Sequence, residues 1–326
     1  MMTAYPTLVT GAAGFIGSHL AESLLNRGDT VIGLDNLNDY YDPARKRANL
    51  AELCTDPSRA ERFTFIQGDV RDRSLLAALF ERHQPRAIAH LAAMAGVRAS
   101  IDDPHLYYEV NLTGTLNLLE EARQQPNTNF VFASTSSAYG NTDCTPFEET
   151  DKSDRPLAPY PASKRAAELL GHSYHHLFDQ DFTALRFFTV YGPRGRPDMM
   201  AYKVLDNIFF GRDVPLYNNG QMYRDWTYVE DIVAGIVAAL DRPLGYEIIN
   251  LGRGEPVLLA DFVARIEALS GHSSSLRPAP MMNADIRATH AEISKARRLL
   301  DYNPTISVQE GVERFWTWYR SAVLED

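Results

Sequence analysis

Residues 7–17 read T-L-V-T-G-A-A-G-F-I-G, a short apolar run followed by three glycines at intervals of three. The pattern predicts a buried strand from Thr7 to Thr10, a glycine turn, and a helix from Gly14 to Arg27. Glycines let a backbone approach a pyrophosphate closely, and the N-terminus of a helix favours negative charge. A strand, a turn and a helix in this order are typical of a dinucleotide site, although a helix-entry turn without a ligand uses the same glycines.

Strands and helices alternate beyond this unit as far as residue 188. Helices are predicted near residues 75–79, 107–123 and 160–176, between short and continuously apolar strands. Such strands are typical of a parallel sheet that helices cover on both faces. The fold class is therefore predicted as α/β, a Rossmann-type doubly wound parallel sheet with a smaller C-terminal α/β region. After the first strand, the predicted strands are Thr30–Leu34, Phe63–Ile66, Ala87–Leu91, Phe130–Ala133 and Phe182–Phe187.

Composition limits the classes of function. The 326 residues are 45% hydrophobic and carry a formal net charge of −10, which disfavours general nucleic-acid binding. The two cysteines form neither a disulfide framework nor a metal-binding cluster, so no metal is expected. The low cysteine content favours a location in the reducing cytoplasm. No apolar run reaches about 18 residues, and no basic segment precedes the first strand, so neither a membrane span nor a signal peptide is expected.

An acidic residue closes the second predicted strand. Asp35 lies 18 residues after Gly17, where a carboxylate can accept hydrogen bonds from ribose hydroxyls and repel a 2′-phosphate. The next residue, Asn36, is polar and uncharged, and no arginine follows closely. These residues favour NAD over NADP as the cofactor. Asp69 and Val70, after the third strand, are expected to border the adenine.

A tyrosine and a lysine four residues apart indicate acid–base chemistry. Tyr160 and Lys164 fall on one face of a predicted helix, and an ammonium near a phenol favours the phenolate. A phenolate is a suitable base for a sugar hydroxyl that is about to lose a hydride. Hydroxyl residues 134–137 follow the fifth strand, at the sheet edge that faces a cofactor, although turn and cap residues have the same composition.

Together these motifs resemble the extended short-chain dehydrogenase/reductase superfamily, in its nucleotide-sugar epimerase and dehydratase branch. The resemblance spans nearly the whole chain and implies an NAD-dependent enzyme. It implies further cofactor contacts from Phe15, Ile16, Leu91, Ala92 and Ala93. The residues that carry it are 11–17, Asp35, 69–70, 90–93, Asn111, 134–140, 160–164, 191–193 and 224–231.

Within that branch the chain is most similar to UDP-glucuronate 4-epimerases. The matching segments are 38–43, 95–98 and 196–199. The resemblance implies that Thr135 bonds the carbon-4 hydroxyl, that Tyr160 is the base and that Lys164 supports it. It also implies a set of substrate-binding residues. In this set Arg224 pairs with the UDP phosphates, and Arg196 pairs with the sugar carboxylate with help from Ser136 and Ser137. The full set is Arg98, Ser136, Ser137, Thr189, Arg196, Arg224 and Arg287.

The implied reaction turns UDP-glucuronate into UDP-galacturonate through a 4-keto intermediate. Related 4,6-dehydratases carry an Asp-Glu pair after the threonine, and related decarboxylases carry a glutamate at the second position. Here Ser136 and Ser137 stand there, which disfavours both reactions. The alternatives left open are a UDP-glucose 4-epimerase, a UDP-glucuronate decarboxylase and a silent NAD-binding protein.

Domain boundaries and assembly complete the expectations. Residues 1–188 plus 226–251 are expected to bind NAD, and residues 189–225 plus 252–326 the nucleotide sugar. The helices near 107–123 and 160–176 have apolar residues on more than one face. Burial against the sheet explains some of these apolar residues. The others are expected to be buried in a homodimer, which is common in the superfamily that the chain resembles.

Overall fold

The computed structural model describes residues 5–142, 144–273, 275–280 and 283–324. π-Helical turns occupy Glu109–Thr113 and Arg320–Leu324. Short 3₁₀ turns occupy Ser136–Tyr139 and Asn218–Gly220. Within the described ranges the strands are β1 (Thr7–Thr10), β2 (Val31–Asp35), β3 (Phe63–Gln67), β4 (Ala87–His90), β5 (Asn129–Thr135), β6 (Asp181–Phe187), β7 (Thr189–Tyr191), β8 (Asp213–Tyr217), β9 (Tyr223–Arg224), β10 (Trp226–Tyr228), β11 (Tyr246–Leu251), β12 (Val257–Leu258) and β13 (Ser275–Ala279). The α-helices are α1 (Phe15–Arg27), α2 (Pro43–Leu53), α3 (Pro57–Ala60), α4 (Arg73–His83), α5 (Ala99–Asp102), α6 (Pro104–Tyr108), α7 (Gly114–Ala122), α8 (Pro159–Phe178), α9 (Met200–Phe209), α10 (Val229–Leu240), α11 (Leu259–Ser270), α12 (Ser294–Leu300) and α13 (Val308–Tyr319).

The central sheet is parallel and doubly wound, as predicted. Its seven strands lie in the order β11-β6-β5-β4-β1-β2-β3. The chain leaves β1 toward β2 on one side and resumes at β4 on the other, so the topological switch point lies between β1 and β4. Ligands of doubly wound sheets bind outside the carboxyl ends of the strands at such a point. In register, Thr10 lies opposite Leu34 on one neighbour and His90 on the other, which aligns those strand ends.

Alternation along the strands divides the core into two layers. Leu8 points into a layer with α4, α7 and α8, whereas Val9 points into the other layer with α1 and α10. On β5, Phe130 and Val131 divide in the same way. Because both faces are covered, these strands are apolar at consecutive positions, as the sequence indicated.

The C-terminal region adds three small strand pairs and packs onto one layer of this core. β7 pairs with β10 and β8 with β13, both in parallel, and β9 pairs antiparallel with β12. Trp226 is 1% exposed and stacks on Phe262, with ring centroids 4.0 Å apart. This packing joins β10 to α11.

One predicted helix, residues 107–123, is interrupted. The π-helical turn falls in its middle, where the Asn111 side chain donates to the Met94 carbonyl at 2.9 Å and to Ser163 Oγ at 3.0 Å. Thr115 Oγ1 donates to the Asn111 carbonyl at 2.6 Å. These tertiary bonds accompany a register change that helical periodicity does not reveal.

No helix in the described part of the chain has the length and apolarity to cross a membrane.

Candidate functional site

The glycine turn forms the floor of a cleft at the switch point. Gly11 adopts φ +72°, and its N–H donates to the Leu34 carbonyl at 2.7 Å. A Cβ on Gly11 would lie 2.8 Å from the Ala92 nitrogen, and a Cβ on Gly17 would lie 2.0 Å from the Gly11 oxygen. Only glycine fits such close backbone approaches. The backbone therefore lies bare at the N-terminus of α1, as a pyrophosphate site requires.

Asp35 lies at the edge of this floor. Its carboxylate is 8% exposed and accepts hydrogen bonds from Ala13 N at 3.2 Å and Leu37 N at 2.9 Å. Burial raises the pKa of Asp35, and the bond from Leu37 opposes that rise. These bonds hold the carboxylate at the end of β2, where a ribose would lie. Next to it, the Asn36 side-chain amide donates to the Asp69 carboxylate at 2.9 Å, which joins the end of β2 to the segment predicted to border the adenine.

The structure brings every sequence-predicted cofactor residue to this one cleft. The cleft runs along the carboxyl ends of β1, β2, β4 and β5 and is lined by both backbone and side chains. Its predicted members are Gly11, Gly14, Phe15, Ile16, Gly17, Asp35, Asn36, Asp69, Val70, Leu91, Ala92, Ala93, Tyr160 and Lys164. The bare glycine backbone and the ribose-side carboxylate fit a dinucleotide.

Sequence reasoning missed Lys46, which lines the same cleft. It is 5% exposed, and its Nζ donates to the backbone oxygen of Asn38 at 2.9 Å and to its Oδ1 at 2.7 Å. Burial lowers the pKa of Lys46, and the charge of Asp35 raises it. Lys46, Asn49 and Leu53 form the buried stripe of α2, and because two of them are polar the stripe leaves no apolar periodicity in the sequence.

Thr135 and Tyr160 meet at the inner end of the cleft. Thr135 closes β5 and accepts a hydrogen bond from Ser137 N at 3.1 Å. Burial raises the pKa of Tyr160, whereas the charge of Arg196 and a hydrogen bond with Thr135 lower it. The Tyr107 ring packs edge-on against Tyr160 at 6.2 Å. The phenol is thus held between a hydroxyl partner and a cation, although that cation was expected to be Lys164.

Lys164 is nearly fully buried one helical turn beyond Tyr160. It is 2% exposed, and its Nζ lies 4.6 Å from the centre of the Phe132 ring. Burial lowers the pKa of Lys164 to about 7, and Glu168 raises it. The lysine therefore lies in the cleft within an apolar wall, where its charge state depends on its neighbours.

A smaller pocket adjoins the cleft where β5 runs into the 3₁₀ turn. Ser136, Ser137, Thr189 and Arg224 line it, so four of the seven predicted substrate residues lie together. Thr135, immediately before Ser136, lines the larger cleft. The linings of the two cavities therefore adjoin at this strand end.

Arg224 and Arg98 both form hydrogen bonds with the 284–289 segment, which lines the smaller pocket. Arg224 donates through Nη2 to the Ile286 carbonyl at 2.7 Å, and burial lowers its pKa to about 10. Arg98 donates to Asp285 at 2.9 Å, a residue that lines the pocket, and to the Tyr217 hydroxyl at 2.7 Å. Arg224 therefore lines the smaller pocket as predicted, whereas Arg98 lines neither cavity and is linked to the smaller pocket through Asp285.

Arg287 departs from the prediction. Its side chain is exposed and lines neither cavity of the described chain. Only its backbone oxygen takes part, accepting from Arg224 Nη1 at 3.2 Å. The residue lies one position beyond the pocket-lining Ile286, on a part of the loop that turns its side chain to solvent.

Arg196 lines the larger cleft rather than the smaller pocket. Its Nε and Nη2 donate to the two carboxylate oxygens of Asp198 at 2.9 and 2.7 Å. The Tyr40 hydroxyl donates to the same carboxylate at 3.2 Å. The side-on edge of the guanidinium, which suits a carboxylate best, is therefore already engaged within the chain.

The model of the NAD dependent epimerase/dehydratase family matches residues 7–252. The chain belongs to this family. It is 44% identical over 317 residues to a UDP-glucuronate 4-epimerase of Thermodesulfobacterium geofontis, with 97% of this chain and 96% of that protein covered.

Solved structures agree with this membership. The fold is similar to that of a UDP-glucuronic acid 4-epimerase from Bacillus cereus in complex with UDP-glucuronic acid and NAD. The TM-score is 0.90 at 35% identity, and 97% of this chain and 99% of that chain are covered. A UDP-glucose 4-epimerase from Thermotoga maritima has a TM-score of 0.89 at 28% identity, covering 98% and 99%. Family members that differ in the sugar thus share one fold, and the pocket residues must decide the substrate.

Proposed function

We propose that this chain is an NAD-dependent UDP-glucuronate 4-epimerase, which forms UDP-galacturonate through a 4-keto intermediate. The observation that carries the proposal is the junction of the two cavities. Thr135 faces the cleft that holds Tyr160 and Lys164, while the next residues, Ser136 and Ser137, face the smaller pocket. A sugar at this junction would have its carbon 4 toward the base and its polar substituents toward hydroxyl groups.

Each residue at the junction has a chemical task. Thr135 orients the carbon-4 hydroxyl, and Tyr160 takes its proton and later returns one. NAD, when bound, would supply reversible hydride transfer at carbon 4, and return of the hydride to the other face of the sugar would invert that carbon. Gly11, Gly14 and Gly17 would cradle its pyrophosphate and Asp35 its adenine-side ribose, while Arg224 holds the UDP phosphates.

The sugar carboxylate needs restraint during the reaction. A ketone at carbon 4 is β to the carboxylate, and such acids lose carbon dioxide when the carboxylate stands perpendicular to the carbonyl. Ser136, Ser137 and Thr189 supply hydroxyl donors that can hold it out of that geometry. Arg196 supplies charge from the cleft side, through the nitrogen that Asp198 leaves unbonded. A carboxyl acid, which elimination of water would need, is absent from the 136–137 segment.

Domain roles and assembly are part of the proposal. Residues 1–188 plus 226–251 bind NAD, and residues 189–225 plus 252–326 bind the nucleotide sugar. A homodimer is supported by exposed apolar side chains on adjacent helices, with Leu116 on α7 37% exposed and Leu169 and Leu177 on α8 54% and 66% exposed. Two exposed free cysteines suit a reducing cytoplasm.

The test is to incubate the purified protein with UDP-glucuronate, without added NAD, and to follow the products by NMR. UDP-galacturonate without pentose is expected, and Tyr160→Phe serves as the inactive control. UDP-xylose or a 4-keto-pentose would instead make the enzyme a decarboxylase. Turnover of UDP-glucose alone would move it to the neutral-sugar epimerases and remove the role given to Arg196. In Arg196→Ala we expect weaker binding of the uronate and some pentose.

A further inference from the structure

A third residue continues the Tyr160–Lys164 face of α8. Glu168 follows Lys164 by four positions, as Lys164 follows Tyr160, so the three side chains lie along one face of the helix. Glu168 is 0% exposed and Lys164 is 2% exposed. A carboxylate with no access to water must have a set of partners, and those partners indicate what it holds in place.

The Glu168 carboxylate joins α8 to the ends of two sheet strands. Ser134 Oγ donates to Oε1 at 2.5 Å from β5, one residue before Thr135. From β6, Arg186 donates to both oxygens, at 2.9 Å through Nε and 2.7 Å through Nη2. Arg165 Nη1 adds a bond at 2.9 Å from the same helix. The carboxylate therefore sets the position of the helix with the base relative to the strand with Thr135.

Few charges act on Lys164 in its buried position. On its own helix the charge that acts on Lys164 is that of Glu168, while Tyr160, whose pKa burial raises, is a neutral phenol one turn away. From β4, His90 faces the lysine, but burial and the lysine charge keep its pKa well below the usual range, so it is neutral. From β5 the lysine meets the Phe132 ring. Burial would raise the pKa of Glu168, but the bonds and charge of Arg186 bring it below its ordinary value. Glu168 is thus ionised one helical turn from the lysine, within ion pairs to Arg165 and Arg186.

We propose that Glu168 is a positioning residue of the site, which holds the Lys164 ammonium in its charged form and fixes it relative to Thr135. This proposal rests on the proposed function in one respect, which is that Lys164 takes part in NAD binding and catalysis. Burial alone would favour the neutral amine, which cannot donate three hydrogen bonds to a ribose or stabilise a phenolate. The anion one turn away opposes that effect.

The experiment compares Glu168→Gln and Glu168→Asp with the matched control Arg165→Gln. The control removes a hydrogen-bond donor to the Glu168 carboxylate but leaves the negative charge of Glu168 in place. Two quantities are measured against pH for each holoenzyme. One is kcat/KM for UDP-glucuronate, and the other is the fraction of NAD that the protein retains after dialysis. The second readout does not need turnover, so it still reports on Lys164 if the substrate assignment fails.

We expect both kcat/KM and NAD retention to fall at high pH, where Lys164 loses its proton. In Glu168→Gln this alkaline limb should move to lower pH by roughly one to two units, the size of a unit-charge effect across one helical turn. Glu168→Asp and Arg165→Gln should keep the limb within about 0.3 unit of the parent. A purely structural role would lower activity equally at all pH values and leave the limb in place, and that result would overturn the proposal. So would an equal shift in Arg165→Gln.

Glu168→Gln leaves the buried Arg186 without its carboxylate partner and can fail to fold. The double variant Glu168→Gln with Arg186→Gln removes both charges and keeps the amide hydrogen bonds possible. It should show a smaller shift in the same direction, because Glu168 is the charge that acts on Lys164. A folded double variant with an unmoved limb would refute the proposal as clearly as the single variant.

Discussion

Replacing Gly17 by alanine tests whether the glycine turn is shaped by backbone contact or by its ligand alone. The added Cβ would lie 2.0 Å from the Gly11 oxygen, 1.4 Å short of an ordinary contact at 3.4 Å. The atoms it meets are backbone, which is held between β1 and the start of α1 and cannot rotate away. Overpacking of this kind costs about 3 kcal/mol, and the better helix propensity of alanine returns about 1 kcal/mol. The free energy of unfolding should therefore fall by about 2 kcal/mol.

Gly14→Ala is the matched control, because its Cβ would approach the same Gly11 oxygen but only to 3.2 Å. It should lose less than about 1 kcal/mol, chiefly because alanine is a poorer N-cap than glycine. The assay is urea unfolding followed by circular dichroism, with retained NAD measured in parallel by chromatography. Equal stability of Gly17→Ala and the parent would refute the steric reasoning. If both variants lost NAD but neither lost stability, the glycines would serve the ligand alone.

Three further predictions concern single side chains. Tyr160→Phe should reduce epimerisation by roughly 10²–10⁴-fold while NAD stays bound, because only the base is removed, and an NMR product assay would measure this. Asp198→Asn should lower the free energy of urea unfolding by about 2 kcal/mol, because it weakens the charged pair with Arg196, whereas Tyr40→Phe should cost less than about 1 kcal/mol. His19 has its pKa lowered to about 4 by burial, so the unfolded chain binds the proton more readily between pH 6.5 and 4. Its contribution to stability is complete above pH 6.5 and falls as pH decreases, by about 2 kcal/mol between pH 7 and 5, and His19→Gln should show a correspondingly flatter dependence of urea midpoints on pH.

The strands were predictable because burial on both sheet faces leaves a local signal. Thr7–Thr10 and Phe182 to Phe187 were placed to within a residue of the strands in the structure. The π-helical turn at Glu109–Thr113 was not predictable, because it accompanies bonds from Asn111 to residues 17 and 52 positions away. Local periodicity contains no information on such partners.

The cofactor side of the site was predictable for a similar reason. Its residues follow strand ends directly, and parallel strands end at one edge, so sequence position determines spatial position. Lys46 escaped notice because it reaches the cleft from the buried face of a helix.

The sugar side depended on tertiary structure. Sequence alone determined the doubly wound sheet, the glycine turn and the order of Thr135, Tyr160 and Lys164, because each is set by neighbours in the chain. Only folding decided that Arg98 bonds to Asp285, 187 positions along the chain, and that Arg287 faces solvent. A long side chain can place its charged group several ångströms from the backbone in any direction. The packing of distant segments selects which of these directions the side chain adopts.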